Sequence, residues 1–141
     1  IIAHLSTLLK YAQRFYERQF INRTEYAHDL LERFHQQLEV YFDSGQPREN
    51  GIPSIEQIAN PLSVSQRYLS ATLKKETGKT STEHLHLFLI DKAKNSLLDP
   101  NRTISEIAYD LGFEYPPYFS RIFKKKEGIS PSEYREKYRL N

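Results

Sequence analysis

Cysteine is absent from the 141 residues, which excludes a disulfide scaffold, thiolate zinc sites and cysteine nucleophiles together. Methionine is absent as well, even at position 1, where Ile1 stands; the expectation is a piece of a longer protein. Long apolar runs are missing too. The longest nearly apolar stretch, Leu85 to Ile90, falls far short of the ~20 residues that a membrane span needs. No secretory signal opens the chain, so a cytoplasmic location and no membrane partner are expected. An excess of either charge is also lacking, since 20 Lys and Arg face 18 Asp and Glu. The balance is uneven along the chain, −1 over residues 1–46 and +3 over residues 52–141. Such a mild excess permits a nucleic-acid partner without arguing for one.

No alternation of polar and apolar residues runs long enough for a sheet, whereas helix starts are plentiful. Ser54-Ile55-Glu56-Gln57, Thr80-Ser81-Thr82-Glu83, Thr103-Ile104-Ser105-Glu106 and Ser130-Pro131-Ser132-Glu133 each have the form of a capping box. In that motif a hydroxyl accepts the third residue's amide and that residue's side chain returns the bond. An all-α chain follows. Gly45 and Gly51 bracket the polar segment Gln46 to Asn50, read as a loop over 47–51 between two units. Ahead of it, Ile1, Leu5, Leu8, Ala12, Phe15 and Gln19 alternate spacings of four and three. Ala27, Leu31, Phe34, Leu38 and Tyr41 repeat the pattern behind Asn22-Arg23-Thr24-Glu25, a further capping-box sequence. Residues 1–46 are therefore expected to form an antiparallel helical hairpin.

Residues 52–141 contain an internal repeat. Ile55, Ile58, Ala59 and Leu62 align with Ile104, Ile107, Ala108 and Leu111; one residue later in register, Tyr68-Leu69-Ser70 aligns with Tyr118-Phe119-Ser120. Leu73-Lys74-Lys75 then matches Phe123-Lys124-Lys125, and Gly78 matches Gly128. Each copy reads as a short capped helix, a tight turn and a second helix, the grammar of a helix-turn-helix. The second helices sort their residues by face. Leu69, Thr72 and Leu73 share one side of the first, and Gln66, Arg67, Ser70, Ala71 and Lys74 the other. In the second, Phe119, Ile122 and Phe123 oppose Pro116, Pro117, Ser120, Arg121 and Lys124. Short or hydrogen-bonding residues near the start and lysines near the end suit a helix in a DNA major groove, where bases are read first and phosphates held further along. Recurrence of the lysines at matched positions argues against a merely solvated face.

At these residues the sequence resembles the AraC/XylS family of bacterial transcription regulators. The resemblance covers residues 52–139. It is strongest in Ile-Ala-x-x-Leu-Gly-Phe at 107–113, Tyr-Phe-Ser-Arg at 118–121, Phe-Lys-Lys at 123–125, Gly128, and Ser-Pro-Ser-Glu-Tyr-Arg at 130–135. It implies two helix-turn-helix units joined by a linker helix, here Thr82 to Leu98, with recognition helices in successive major grooves about 34 Å apart. It also implies double-stranded DNA as partner and RNA polymerase as a family tendency. The base-reading positions carried over are Arg67, Ser70 and Ala71, then Ser120 and Arg121, and Gln66 joins them from its place on the outward face; Lys74, Lys75, Lys124 and Lys125 would meet phosphates. Pro116 and Pro117 fall on base-contacting positions but carry no polar group, so Ser120 and Arg121 must read for the second unit. Family members usually carry an N-terminal sensor domain. Residues 1–46 resemble the helical segment that follows it, either pairing two subunits as a homodimer or packing on their own DNA-binding unit.

Other chemistry is set aside. Gly78-Lys79-Thr80 lacks the earlier glycine of a P-loop, since position 73 is leucine. His84 and His86, two apart on a helix, cannot share a metal; His4, His28 and His35 are expected at the solvent surface. No catalytic motif appears, so no enzyme, metal or cofactor is expected. The competing reading is a helical protein-interaction module that does not bind DNA.

Overall fold

The computed structural model describes residues 2–139. Among them every regular element is helical: α1 (Ile2–Asp43), α2 (Gln46–Asn50), α3 (Ile55–Ala59) with a 3-10 turn at Asn60–Leu62, α4 (Gln66–Thr77), α5 (Ser81–Leu97), α6 (Ile104–Asp110), α7 (Pro116–Glu127) and α8 (Pro131–Lys137). All four capping boxes in residues 52–139 form. Ser54 Oγ accepts from the Gln57 amide at 3.2 Å while Gln57 Oε1 accepts from the Ser54 amide at 2.8 Å. Thr80 with Glu83, Thr103 with Glu106 and Ser130 with Glu133 do the same. Two helix-turn-helix units result, α3–α4 and α6–α7. The linker α5 packs against α4 at one end and against α6, α7 and α8 at the other. It begins at Ser81, one residue before the start that the resemblance implies, and ends one residue earlier, at Leu97.

The expected hairpin does not form. Residues 2–43 are one continuous helix of 42 residues. The sequence Asn22-Arg23-Thr24-Glu25 has a capping composition but no glycine or proline to interrupt the ladder, and its threonine bonds back along the same helix, Thr24 Oγ1 to Phe20 O at 3.1 Å. A cap motif within a helical stretch stays helical unless the chain must turn. The two apolar stripes do not pair with each other. The second finds another partner: Ala27, Leu30, Phe34 and Leu38 are buried, the last three joining a core with Ile58, Leu69, Leu89 and Phe119. Burial of four such side chains at about 1–3 kcal/mol each fastens this half of α1 to the first unit.

The segment expected as a loop is also ordered. Pro47 sits at the start of α2 and is buried, so the stretch forms a single helical turn between Gly45 (φ 81°) and Gly51 (φ 79°). It serves as a strap to the second unit. Tyr41 Oη donates to Gly51 O at 2.8 Å, and burial raises the Tyr41 pKa. Arg48 Nε lies 3.0 Å from Asp110 Oδ1, while Arg102 pairs with the other oxygen of Asp110. A Cβ at Gly112 would stand 2.7 Å from both Gly51 C and Ile52 N, so this glycine, at φ +95°, lets the strap touch the turn of α6–α7. The linker and the strap thus brace the two units from separate places. Tyr41→Phe is expected to cost about 1 kcal/mol, because Gly51 O loses its donor in a partly buried place. An unchanged thermal midpoint would show that water replaces the phenol there.

Candidate nucleic-acid interface

Helices α4 and α7 hold the two faces in question, each 12 residues long and each closed by a left-handed glycine, Gly78 and Gly128. The amides of these glycines donate to Lys74 O and Lys124 O, which satisfies carbonyls at the helix ends. Leu69, Leu73, Phe119, Ile122 and Phe123 are buried, and that fixes the rotation of both helices. Gln66, Arg67, Ala71, Lys74 and Lys75 are consequently exposed on α4, with Ser70 half-buried at the edge of the face. On α7 Pro117, Arg121, Lys124 and Lys125 are exposed, while Pro116 and Ser120 are half-buried. Every side chain singled out as base-reading or phosphate-binding therefore lies on the outward side or at its margin.

The lysines of the interface differ from those of the scaffold. Lys92 lies 2.9 Å from Glu39 Oε2 and 3.1 Å from Asp43 Oδ1, tying α5 to α1; burial opposes its charge, but the bonds to both carboxylates prevail and raise its pKa. Lys94 pairs with Glu127, which raises its pKa. By contrast, Arg67, Lys74, Lys75, Arg121, Lys124, Lys125 and Lys126 form no ion pair among the described residues. The arrangement leaves cations of both second helices available to an anion in solvent.

The helix starts are unequal. Ser65 caps α4 by accepting the Tyr68 amide at 3.0 Å, and the exposed first turn keeps the amides of Gln66 and Arg67 for an incoming acceptor. In α7 the first two helical positions are Pro116 and Pro117, behind an extended Tyr115 that gives no side-chain cap. Two amides are thus missing where a phosphate could have been held. Helix α7 has something that α4 lacks: the Arg121 guanidinium lies 5.7 Å from the Tyr118 ring, itself packed 6.0 Å from Phe113. Stacking on the phenol limits the freedom of that arginine. No single-sequence pattern signalled this pair, since aligned Tyr68 faces Ala71 one turn on.

The histidines depart in part from expectation. His4 and His28 are exposed, but His35 is half-buried, its ring 5.8 Å from that of His84. His84 Nε2 is 2.9 Å from Thr77 Oγ1. Burial lowers the His84 pKa, helped by His35 and Lys79; burial likewise lowers that of His86, helped by Lys126 and Lys125. Folded values below the ordinary ~6.5 mean that the unfolded chain binds protons first as pH falls. Their contribution to stability is complete above about pH 6.5 and is lost as pH drops through the depressed folded values. Thermal midpoints measured from pH 7.5 to 5 should decline, and less steeply in the His84→Gln, His86→Gln double variant; parallel slopes would remove these two groups from the account. Among the described residues no three His, Asp or Glu side chains gather as a metal would require, and no helix is long and apolar enough to cross a membrane.

A family model described as a helix-turn-helix domain matches residues 58–137, which spans both units and the linker. The chain is 35% identical over 83 residues to the HTH-type transcriptional regulator YisR of Bacillus subtilis, covering 59% of this chain and 29% of that protein. It is 31% identical over 139 residues to the HTH-type transcriptional regulator YfiF of the same organism, covering 99% of this chain and 41% of that one. The chain therefore spans less than half the length of these curated relatives. Among solved structures it is similar to the C-terminal domain of AraT, a response regulator from Geobacillus stearothermophilus, with 30% identity, a TM-score of 0.63, and coverage of 77% of this chain and 88% of that one. With the repeat, the two capped units, the linker and these likenesses in agreement, the chain belongs to the helix-turn-helix domain family of AraC/XylS type.

Proposed function

We propose that this chain is the DNA-binding part of a transcriptional regulator, gripping double-stranded DNA with α4 and α7 in successive major grooves. The observation that supports it most is the recurrence of exposed lysines at matched positions of the two second helices, outside any ion pair among the described residues. Arg67 and Arg121 are the principal readers, with Gln66, Ser70 and Ser120 as secondary donors and acceptors and Ala71 suited to a thymine methyl. Lys74, Lys75, Lys124 and Lys125 hold phosphates. The units, braced by α5 and the strap, meet DNA as one body, so each site adds to the other without a separate ordering cost. The role is binding rather than catalysis, in a bacterial cytoplasm where DNA and RNA polymerase are both at hand. The regulators that YisR and YfiF are named as, and the response regulator to which the AraT domain belongs, support the same reading.

Fluorescence anisotropy with a labelled random duplex, taken over a salt series, tests the class of partner. A steep loss of affinity with salt is expected. Absence of binding at any salt would leave the protein-interaction module instead. Selection of bound duplexes from a random library then reports sequence, spacing and symmetry together, and transcription from the selected site shows whether polymerase responds.

A further inference from the structure

A groove of about 390 Å³ runs between the middle of α1 and the flank of α4. Asn22, Arg23 and Tyr26 form its α1 wall beside buried Ala27, and Tyr68, Lys75 and Glu76 stand on the α4 side. All six are exposed, Tyr26 at 45% and Tyr68 at 47%. Arg23 and Lys75 form no ion pair among the described residues, even with Glu76 lining the same groove. Two cations and two phenols are thus gathered where α1 meets a recognition helix, and none of the contacts that hold the fold together uses the cations.

The rows of α4 say what passes this groove. Arg67, Ala71 and Lys75 follow one another at i, i+4 and i+8 on the outward side; Tyr68, Thr72 and Glu76 form the next row round, against which α1 lies. We propose that Arg23, together with Lys75, clasps a phosphate of the DNA backbone beside the base-reading face of α4, so that α1 contributes to the grip; this rests on the DNA-binding function proposed above. A helix of about 10–12 Å diameter fills a major groove ~12 Å wide, so a phosphate wall stands against each of its flanks. Gln66 and Ser70 border one flank of α4. Lys75 and Tyr68 border the other, which is the mouth of the groove. There the Arg23 guanidinium and the two phenols suit phosphate oxygens. Glu76 carries a negative charge on the same wall, which makes the groove a poor trap for a free anion. A strand already seated by α4 needs little affinity of its own at this place, because its phosphates arrive at high local concentration.

Arg23→Ala in the 141-residue chain should weaken binding to every duplex about fivefold near 0.15 M salt and flatten the slope of log affinity against log salt by about 0.9. The side chain is exposed, so the thermal midpoint should stay where it is. Arg23→Lys should keep the slope, since the charge is retained. Arg18→Ala removes the same charge from an exposed position roughly 140° round α1, and should alter neither affinity nor slope. Ethylation interference on the selected duplex locates the contact: the Arg23→Ala complex should lose one sensitive phosphate beside the half-site of α4 and keep those at the half-site of α7. A slope unaltered by Arg23→Ala, or flattened equally by Arg18→Ala, would overturn the clasp and leave DNA binding in place. An unaltered chain that binds no duplex at any salt would overturn both.

Discussion

Replacement of Lys124 and Lys125 by alanine is expected to weaken binding to every duplex alike, by roughly 30-fold near 0.15 M salt. Each phosphate partner contributes about 0.9 to the slope of log affinity against log salt. Two lost contacts flatten that slope by nearly 2, and from a 1 M reference each is worth about fivefold at physiological ionic strength. The substitution should be quiet in the free protein. Both side chains are exposed in the last turn of α7 and engage no carboxylate among the described residues, so only a few tenths of a kcal/mol of helix-end attraction is at stake. Lys92 provides the contrast, because its bonds to Glu39 and Asp43 join α5 to α1. Lys92→Ala should lower the thermal midpoint while leaving the salt slope intact. An unchanged slope in the Lys124, Lys125 variant would refute their assignment as phosphate partners.

Arg67→Ala should act on a different quantity. Affinity for the selected site is expected to fall by about 5- to 150-fold, corresponding to ~1–3 kcal/mol for a bidentate guanine contact, while affinity for random duplex changes little. Arg67 stands exposed in the first turn of α4, where a side chain reaches base edges before the helix axis leaves the groove. The matched position in α7 is Pro117; its arginine, Arg121, comes one turn later and rests on Tyr118. The two readers should therefore prefer guanine at different places in their half-sites. Equal losses on all duplexes would make Arg67 a phosphate contact, and the base preference of the first unit would then rest on Gln66 and Ser70.

Much of the fold was legible because its signals are local. Capping boxes at Ser54, Thr80, Thr103 and Ser130 involve residues three apart, and their bonds do not depend on what packs against the helix. The repeat was legible because both units solve the same problem of crossing two helices over a small residue, Ala59 or Ala108, each fully buried. The outward faces of α4 and α7 followed once the inward apolar residues were known. Residues 2–43 carry no such local signal. Two apolar stripes joined by a polar stretch are compatible with a bend or with a straight rod, and local composition does not distinguish them. Only the presence of α3 and α4 beside Leu30, Phe34 and Leu38 decides which surface the second stripe covers.

What the chain settled alone, then, was the helical content, the duplicated helix-turn-helix and the sign and place of the exposed cations, since each is written in spacings of three and four residues. Tertiary structure decided what lies far apart in sequence. The strap from Tyr41 through Gly51 to Gly112, the bridge from Arg48 to Asp110 and the continuation of α1 beyond the domain all depend on backbone approach between segments tens of residues apart. A periodic pattern states that a face is apolar; the contacts available in three dimensions determine whether that face is covered by its own chain or left for another.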